Sequence, residues 1–155
     1  MHHHPWRAIR ALVDWTVHWT TDLPDGVDAA TRWSDQTIWV RQGLSQVQRR
    51  CIIEHERQHI IRGPGGHVLY EERTVDVATA HALISLDALV DAARWARSMP
   101  ELADELNVTE DVVHVRLRHL HPSERAMLRR ATEEHLSEHQ DAATPDAAVA
   151  HRAGE

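Results

Sequence analysis

Residues 50–66 read Arg50-Cys51-Ile52-Ile53-Glu54-His55-Glu56-Arg57-Gln58-His59-Ile60-Ile61-Arg62-Gly63-Pro64-Gly65-Gly66, and the reading of the whole chain turns on them. The apolar pattern from Leu44 to Arg62 is helical, and the glycine–proline run that follows ends it. Inside that helix, His55-Glu56-Arg57-Gln58-His59 matches HExxH. Residues four apart on a helix stand about 40° apart around its axis, so both imidazoles can reach one ion from one face. Glu56 lies about 100° from His55 and about 60° from His59. It can touch a water beside that ion without taking a ligand position, which is where a general base belongs. Ile52, Ile53 and Ile60 occupy the sector around and beyond Glu56, whereas Glu54, Arg57 and Gln58 point the opposite way. This predicts a helix that buries its metal side and exposes its back.

With 14 His in 155 residues, chance would produce HExxH in roughly one such sequence in ten, so its surroundings matter. A catalytic zinc site takes three protein ligands and leaves the fourth position to water. Glu72 is the expected third ligand because it opens the following helix. Asp76, one turn later, shares its face and can hold a ligand imidazole through the free ring N–H. Glu71 points about 100° away from Glu72. His67, in the glycine-rich loop, is the competing ligand, although metzincin spacing would call for a His where Gly65 stands. One Zn2+ per chain is the expected cofactor. The single cysteine, Cys51, excludes an internal disulfide and a cysteine-only zinc site. It lies one turn before His55 and reads as a core residue rather than as a thiolate beside the metal.

Upstream, Pro5 to about Asp14 reads as a short amphipathic helix, and the alternation of Trp15, Val17 and Trp19 as a strand. Leu23-Pro24-Asp25-Gly26 is turn chemistry. Ala29 to Trp33 and Gln36 to Arg41, separated by Ser34-Asp35, read as a β-hairpin anchored by Trp33, Ile38 and Val40. Downstream, a second helix is expected from about Glu71 to Trp95 or Met99, with Val75, Leu83, Leu86 and Val90 on one stripe, a break near Ser85, and Pro100 as its end. Two short helices, Glu101 to Leu106 and Glu110 to Leu120, precede a last one that starts at Pro122 and ends near His139. Residues 140–155 have nothing large to bury and are expected to be disordered. The sum is an α+β fold: a mainly helical, zincin-like domain over residues 1–139, with a small antiparallel sheet before the HExxH helix.

The formal charge of −7 repels phosphate and disfavours both nucleic acid and anionic membrane as partners. No apolar stretch approaches the roughly 18–20 residues needed to cross a bilayer. The opening residues lack the basic-then-apolar pattern of a secretory signal, so a cytoplasmic protein is expected. Five of the six Trp precede residue 40 and there is no Phe, so the large aromatic surfaces near the start read chiefly as core. His2, His3 and His4 follow Met1 directly and are set aside from the site.

Arg50 to His59, followed by Glu72-Arg73-Thr74-Val75-Asp76-Val77-Ala78-Thr79-Ala80 and Leu83-Ile84, resembles the ImmA/IrrE family of zinc metallopeptidases, in particular its compact phage-type members. That family's pattern has HExxH, then a Glu four residues before an Asn or Asp, then small residues and an apolar run. The resemblance covers roughly residues 30–120. It implies His55, His59 and Glu72 as ligands, Glu56 as base, and Asp76 as the outer carboxylate. It further implies limited proteolysis of a regulatory protein such as a repressor. Two departures stand out: Ala82-Leu83-Ile84-Ser85 replaces a frequent Leu-Leu-Met-Pro, and Thr74-Val75 replaces a common acidic–Ala pair.

The expected activity is therefore metal-assisted peptide hydrolysis, with a peptide or protein substrate lying as a strand along the hairpin edge near Thr37 to Arg41. His67, Tyr70 and His81 are candidate donors to the developing oxyanion. Two alternatives belong to other classes. One is a catalytically inactive metal-binding interaction module. The other is a DNA-binding regulator built on Glu101 to Leu120, whose helix-turn-helix spacing puts Leu102, Leu106, Val108, Val112, Val113 and Leu117 inside and offers His114, Arg116 and Arg118 to DNA. Glu110 and Asp111 at the reading end of that segment oppose DNA binding.

Overall fold

A computed structural model of the chain describes residues 4–64 and 68–142. These residues form a mainly helical α+β fold. Helix α1 (Pro5–Arg10) precedes strands β1 (Thr16–Thr20), β2 (Ala29–Arg32) and β3 (Thr37–Arg41), with a short 3-10 turn at Trp33–Asp35. Helices α2 (Gln46–Arg62), α3 (Val68–Leu83), α4 (Leu86–Trp95), α5 (Met99–Leu106), α6 (Glu110–Arg118) and α7 (Pro122–Ala142) follow.

The hairpin is β2–β3, paired antiparallel with Thr31 opposite Ile38. Strand β1 pairs with the far side of β3 in parallel, with Val17 opposite Ile38. The sheet is thus mixed rather than antiparallel throughout, in the order β1-β3-β2. Composition explains which strand is central: Ile38 and Val40 are fully buried, whereas Ala29-Ala30-Thr31-Arg32 is too small and polar to be flanked on both sides. Thr37 to Arg41, expected to offer a substrate its edge, is instead hydrogen-bonded on both sides. The free edges belong to β1 and β2.

Helix α2 starts at a reciprocal cap, in which Ser45 Oγ accepts from the Gln48 N–H and Gln48 Oε1 accepts from the Ser45 N–H. It stops at Gly63, whose φ of 84° suits glycine. The helix runs between two apolar clusters. Ile53 and Ile60 join Ile9, Ile38 and Val40 on the sheet side, while Cys51 joins Leu83, Ile84, Leu89 and Val113 on the helical side.

The back of α2 is not solvated as its pattern suggested. Glu54 is fully buried, accepting two bonds from the Arg57 guanidinium at 2.8 and 3.0 Å and one from the Gln58 amide at 2.7 Å. A carboxylate can be buried when a fork of donors satisfies both oxygens.

The second helix breaks at Ile84-Ser85, where Ser85 Oγ accepts from the Ala88 N–H and starts α4. The break resets the stripe. Leu89 and Ala92 are buried after it, while Leu86 and Val90 are half-buried. Pro100 sits in the first turn of α5, where a missing N–H costs nothing, so it opens a helix rather than ending one. Of the Trp side chains, Trp6 and Trp15 pack half-buried against the sheet-side cluster, and Trp19, Trp33 and Trp95 are exposed. The aromatic residues line the margin of the core rather than filling it. Helix α7 continues to Ala142, and the expected disordered segment beyond it lies outside the described residues. Among the described residues no helix is long and apolar enough to cross a membrane.

Candidate metal centre

His55 and His59 project from α2 toward Glu72 on α3, the helix packed against it. The two Nε2 atoms are 3.1 Å apart, and the Glu72 carboxylate sets Oε2 3.3 Å from that of His55 and Oε1 3.3 Å from that of His59. These separations can be compared with what an ion requires. Ligand atoms about 2.0–2.1 Å from zinc at the tetrahedral angle stand about 3.3 Å from one another. The two Nε2 atoms and one Glu72 oxygen lie within 4.8 Å of one another, so a single ion could reach all three residues after a small adjustment of the carboxylate.

The outer ring nitrogens explain why the inner ones converge. His55 Nδ1 lies 3.3 Å from Asp76 Oδ1, and His59 Nδ1 lies 3.7 Å from Glu71 Oε1. A carboxylate beside Nδ1 favours the ring proton there and the lone pair on Nε2, more strongly at His55 than at His59, where the separation exceeds hydrogen-bond length. A cation among the two Nε2 atoms and the Glu72 carboxylate would be favoured by every group that faces it. The donor set, two neutral imidazoles and one carboxylate, is that of a hydrolytic zinc site with an open fourth position. His55, His59 and Glu72 are also the group with metal-holding geometry among the described residues.

Glu56 is buried beside this trio, and its Oε2 accepts from Thr31 Oγ1 at 2.5 Å. Thr31 belongs to β2, so the free sheet edge and the candidate base are joined directly. Sequence reasoning missed both Thr31 and Glu71. Thr31 could be found only by knowing which strand lies against α2. Glu71 was set aside because its Cα faces away from Glu72, yet its long side chain reaches the second ring from the neighbouring position.

Two clefts meet at His55 and Glu56. One, of ≈ 410 Å³, is bounded by β2, Trp33, Pro64, Glu71 and Glu72. The other, of ≈ 610 Å³, opens toward the β1–β2 loop, Asp76 and the first turns of α6. An extended peptide crossing the trio would have room on either side.

No protein-family model, curated protein or solved structure matches this chain.

The remaining candidates fall as follows. His67 and the side chain of Tyr70 lie outside the described residues. His81 belongs to a different charge group, where burial and then the Arg116 guanidinium hold its pKa down; it does not line either cleft. Cys51 is buried, and that burial pushes its thiol pKa up, in keeping with a core thiol rather than a thiolate ligand. Of the residues offered for DNA contact, Arg116 is withdrawn. It is 2 % exposed, donates to the Ile84 carbonyl at 3.1 Å and pairs with both oxygens of Glu124. The first turns of α6, which a helix-turn-helix reader would insert into DNA, instead wall the larger cleft through Asp111, Val112 and Val115.

Proposed function

We propose that this chain is a zinc-dependent endopeptidase, with His55, His59 and Glu72 as ligands and Glu56 as general base. The observation that carries this reading is the convergence of His55, His59 and Glu72, one ligand atom from each within 4.8 Å of the others, with the buried Glu56 carboxylate from the same helix alongside. Bound there, zinc would polarise a scissile carbonyl and lower the pKa of a water. Glu56 takes the proton from the water and passes it to the leaving amine. Thr31 fixes the orientation of Glu56 by donating to one of its oxygens, leaving the other for the proton. Asp76 and Glu71 hold the two rings. The free edge of β2 (Ala29–Arg32), rather than β3, is where an extended peptide adds as a further strand across the two clefts. The likeness of residues 50–59 and 72–84 to the ImmA/IrrE peptidases supports a regulatory protein such as a repressor as substrate, cut at few sites, in the cytoplasm and in a phage or mobile-element setting.

The test is metal content per chain together with cleavage of an unstructured protein such as casein. Wild type should hold one zinc, and Glu72→Ala should lose it. His67→Ala should keep it. Glu56→Gln should keep zinc and lose cleavage. A wild-type protein dialysed against zinc that retains none refutes the centre. Zinc retained without cleavage of any protein leaves the inert metal-binding module instead.

A further inference from the structure

We propose that the larger cleft, on the Asp76 side of His55, is a subsite for a basic side chain, arginine or lysine, beside the scissile bond. The inference rests on the peptidase reading above and deepens it by naming a substrate class. The cleft is continuous with the metal centre through Ala29, His55 and Glu56, which line both hollows. Its charged lining has one sign: His55 apart, the titratable oxygen and nitrogen groups are Glu56, Asp28, Asp76 and Asp111, with no Lys or Arg among them. Ile52, Val112 and Val115 supply apolar wall, against which the methylene stem of a long basic side chain can pack while its head reaches a carboxylate.

The three aspartates are not equivalent. Asp76 is committed to the His55 ring, and Asp28 has Arg41 at 3.5 Å. Asp111, exposed in the first turn of α6, has no ion-pair partner among the described residues. It is the carboxylate with a charge left to offer. The opposite rim is built rather than loose, because the Arg41 guanidinium donates to the carbonyls of Leu23, Pro24 and Val27 and so fixes the loop that carries Asp28. A further observation points to an occupant. Thr79, on the cleft lining one turn beyond Asp76, is 3 % exposed, and its hydroxyl has no hydrogen-bond partner. Buried hydroxyls are normally satisfied, and a guanidinium or ammonium head brings surplus N–H donors. An adjoining hollow shares Asp76 and Val115 with this cleft and carries the basic groups Arg73, Arg118 and His119 on its far side.

The experiment uses the full zinc-loaded chain and three probes, the hydroxamates of N-acetyl-arginine, N-acetyl-leucine and N-acetyl-glutamate, with binding read by calorimetry. The zinc-binding group is common to all three, so differences report the side chain. The arginine probe should bind at least about 10-fold more tightly than the glutamate probe, with leucine between. Asp111→Asn should shrink that ratio to about 3-fold or less without changing leucine binding, and Asp111→Glu should restore it. Equal affinities, or a preference for glutamate, in protein that holds one zinc per chain would overturn the subsite and leave the peptidase standing. A chain that holds no zinc overturns the peptidase reading and the subsite with it, and the metal content tells the two failures apart.

Discussion

Asp76 and His55 fix one another across a single ring: Oδ1 of the aspartate is 3.3 Å from Nδ1, while Nε2 of the same imidazole faces Glu72 at 3.3 Å. A carboxylate beside Nδ1 favours the tautomer with its proton there and its lone pair on Nε2.

The first prediction follows from that pairing. Asp76→Ala should weaken zinc binding by about 10–100-fold while leaving the ligand set intact. Glu71→Ala should weaken it less, because 3.7 Å to His59 Nδ1 is an ion-pair distance and too long for a hydrogen bond. Competition against a chelating dye measures both. A larger loss from Glu71→Ala than from Asp76→Ala would reverse the assignment.

Thr31 is a positioning residue in the proposed reaction, acting through Glu56. Thr31→Val should keep stoichiometric zinc and lower kcat by about 10-fold with little change in KM, and Thr31→Ser should recover most of the rate. A change confined to KM would mean that Thr31 serves the substrate strand and not the base.

These two relationships mark how far the sequence could be read. The α2 helix and the shared face of His55 and His59 were legible, since a 3.6-residue period and a four-residue spacing fix which side chains share a face before any tertiary contact forms. Glu72 does come to that face, although α3 begins at Val68 and Glu72 does not open it as expected. The β2–β3 hairpin was legible from Ser34-Asp35 between two short segments anchored by Trp33, Ile38 and Val40. The parallel partner of β3 was not, because nothing local in Trp15, Val17 and Trp19 states which strand they join. The burial of Glu54 and Arg116 was hidden for a related reason. Charged residues read as solvated faces unless the partners that neutralise them, Arg57 and Gln58 in one case and Glu124 in the other, can be placed in space. The spacing within α2 was therefore local, and the groups that meet it from α3 and β2 were not.

The Arg116–Glu124 pair carries a pH prediction. Hydrogen bonds from the Arg116 guanidinium, then from the His121 N–H, hold the Glu124 carboxyl at about 2, against an ordinary 4.5. The folded state thus prefers the ionised group. The stability this supplies is complete above about pH 4.5 and is lost as the pH falls from about 4.5 to about 2. Glu124→Gln should be destabilised at pH 7 by about 1–3 kcal/mol, since it leaves the buried Arg116 without its counter-charge. Thermal melts of the two proteins should converge as the pH approaches 2. A gap that persists undiminished at that pH would assign the loss to packing instead.

Cys51 gives a simpler outcome. Burial raises its pKa, so the native protein at pH 8 should resist iodoacetamide, and the denatured chain should take up one equivalent through its only thiol. Mass spectrometry reads the difference. Rapid alkylation of the folded, zinc-loaded protein would show an accessible thiolate and contradict the core assignment.

Helix α2, wedged between the two apolar clusters, is frame and instrument at once. Any slackening of either half of the molecule, even one too small to melt it, must move the imidazoles relative to the carboxylate on α3 by fractions of an ångström. With the proposed zinc in place, its retention would register that damage earlier than heat capacity or circular dichroism, and a chelator titration would serve as a fine gauge of whether the chain is properly seated.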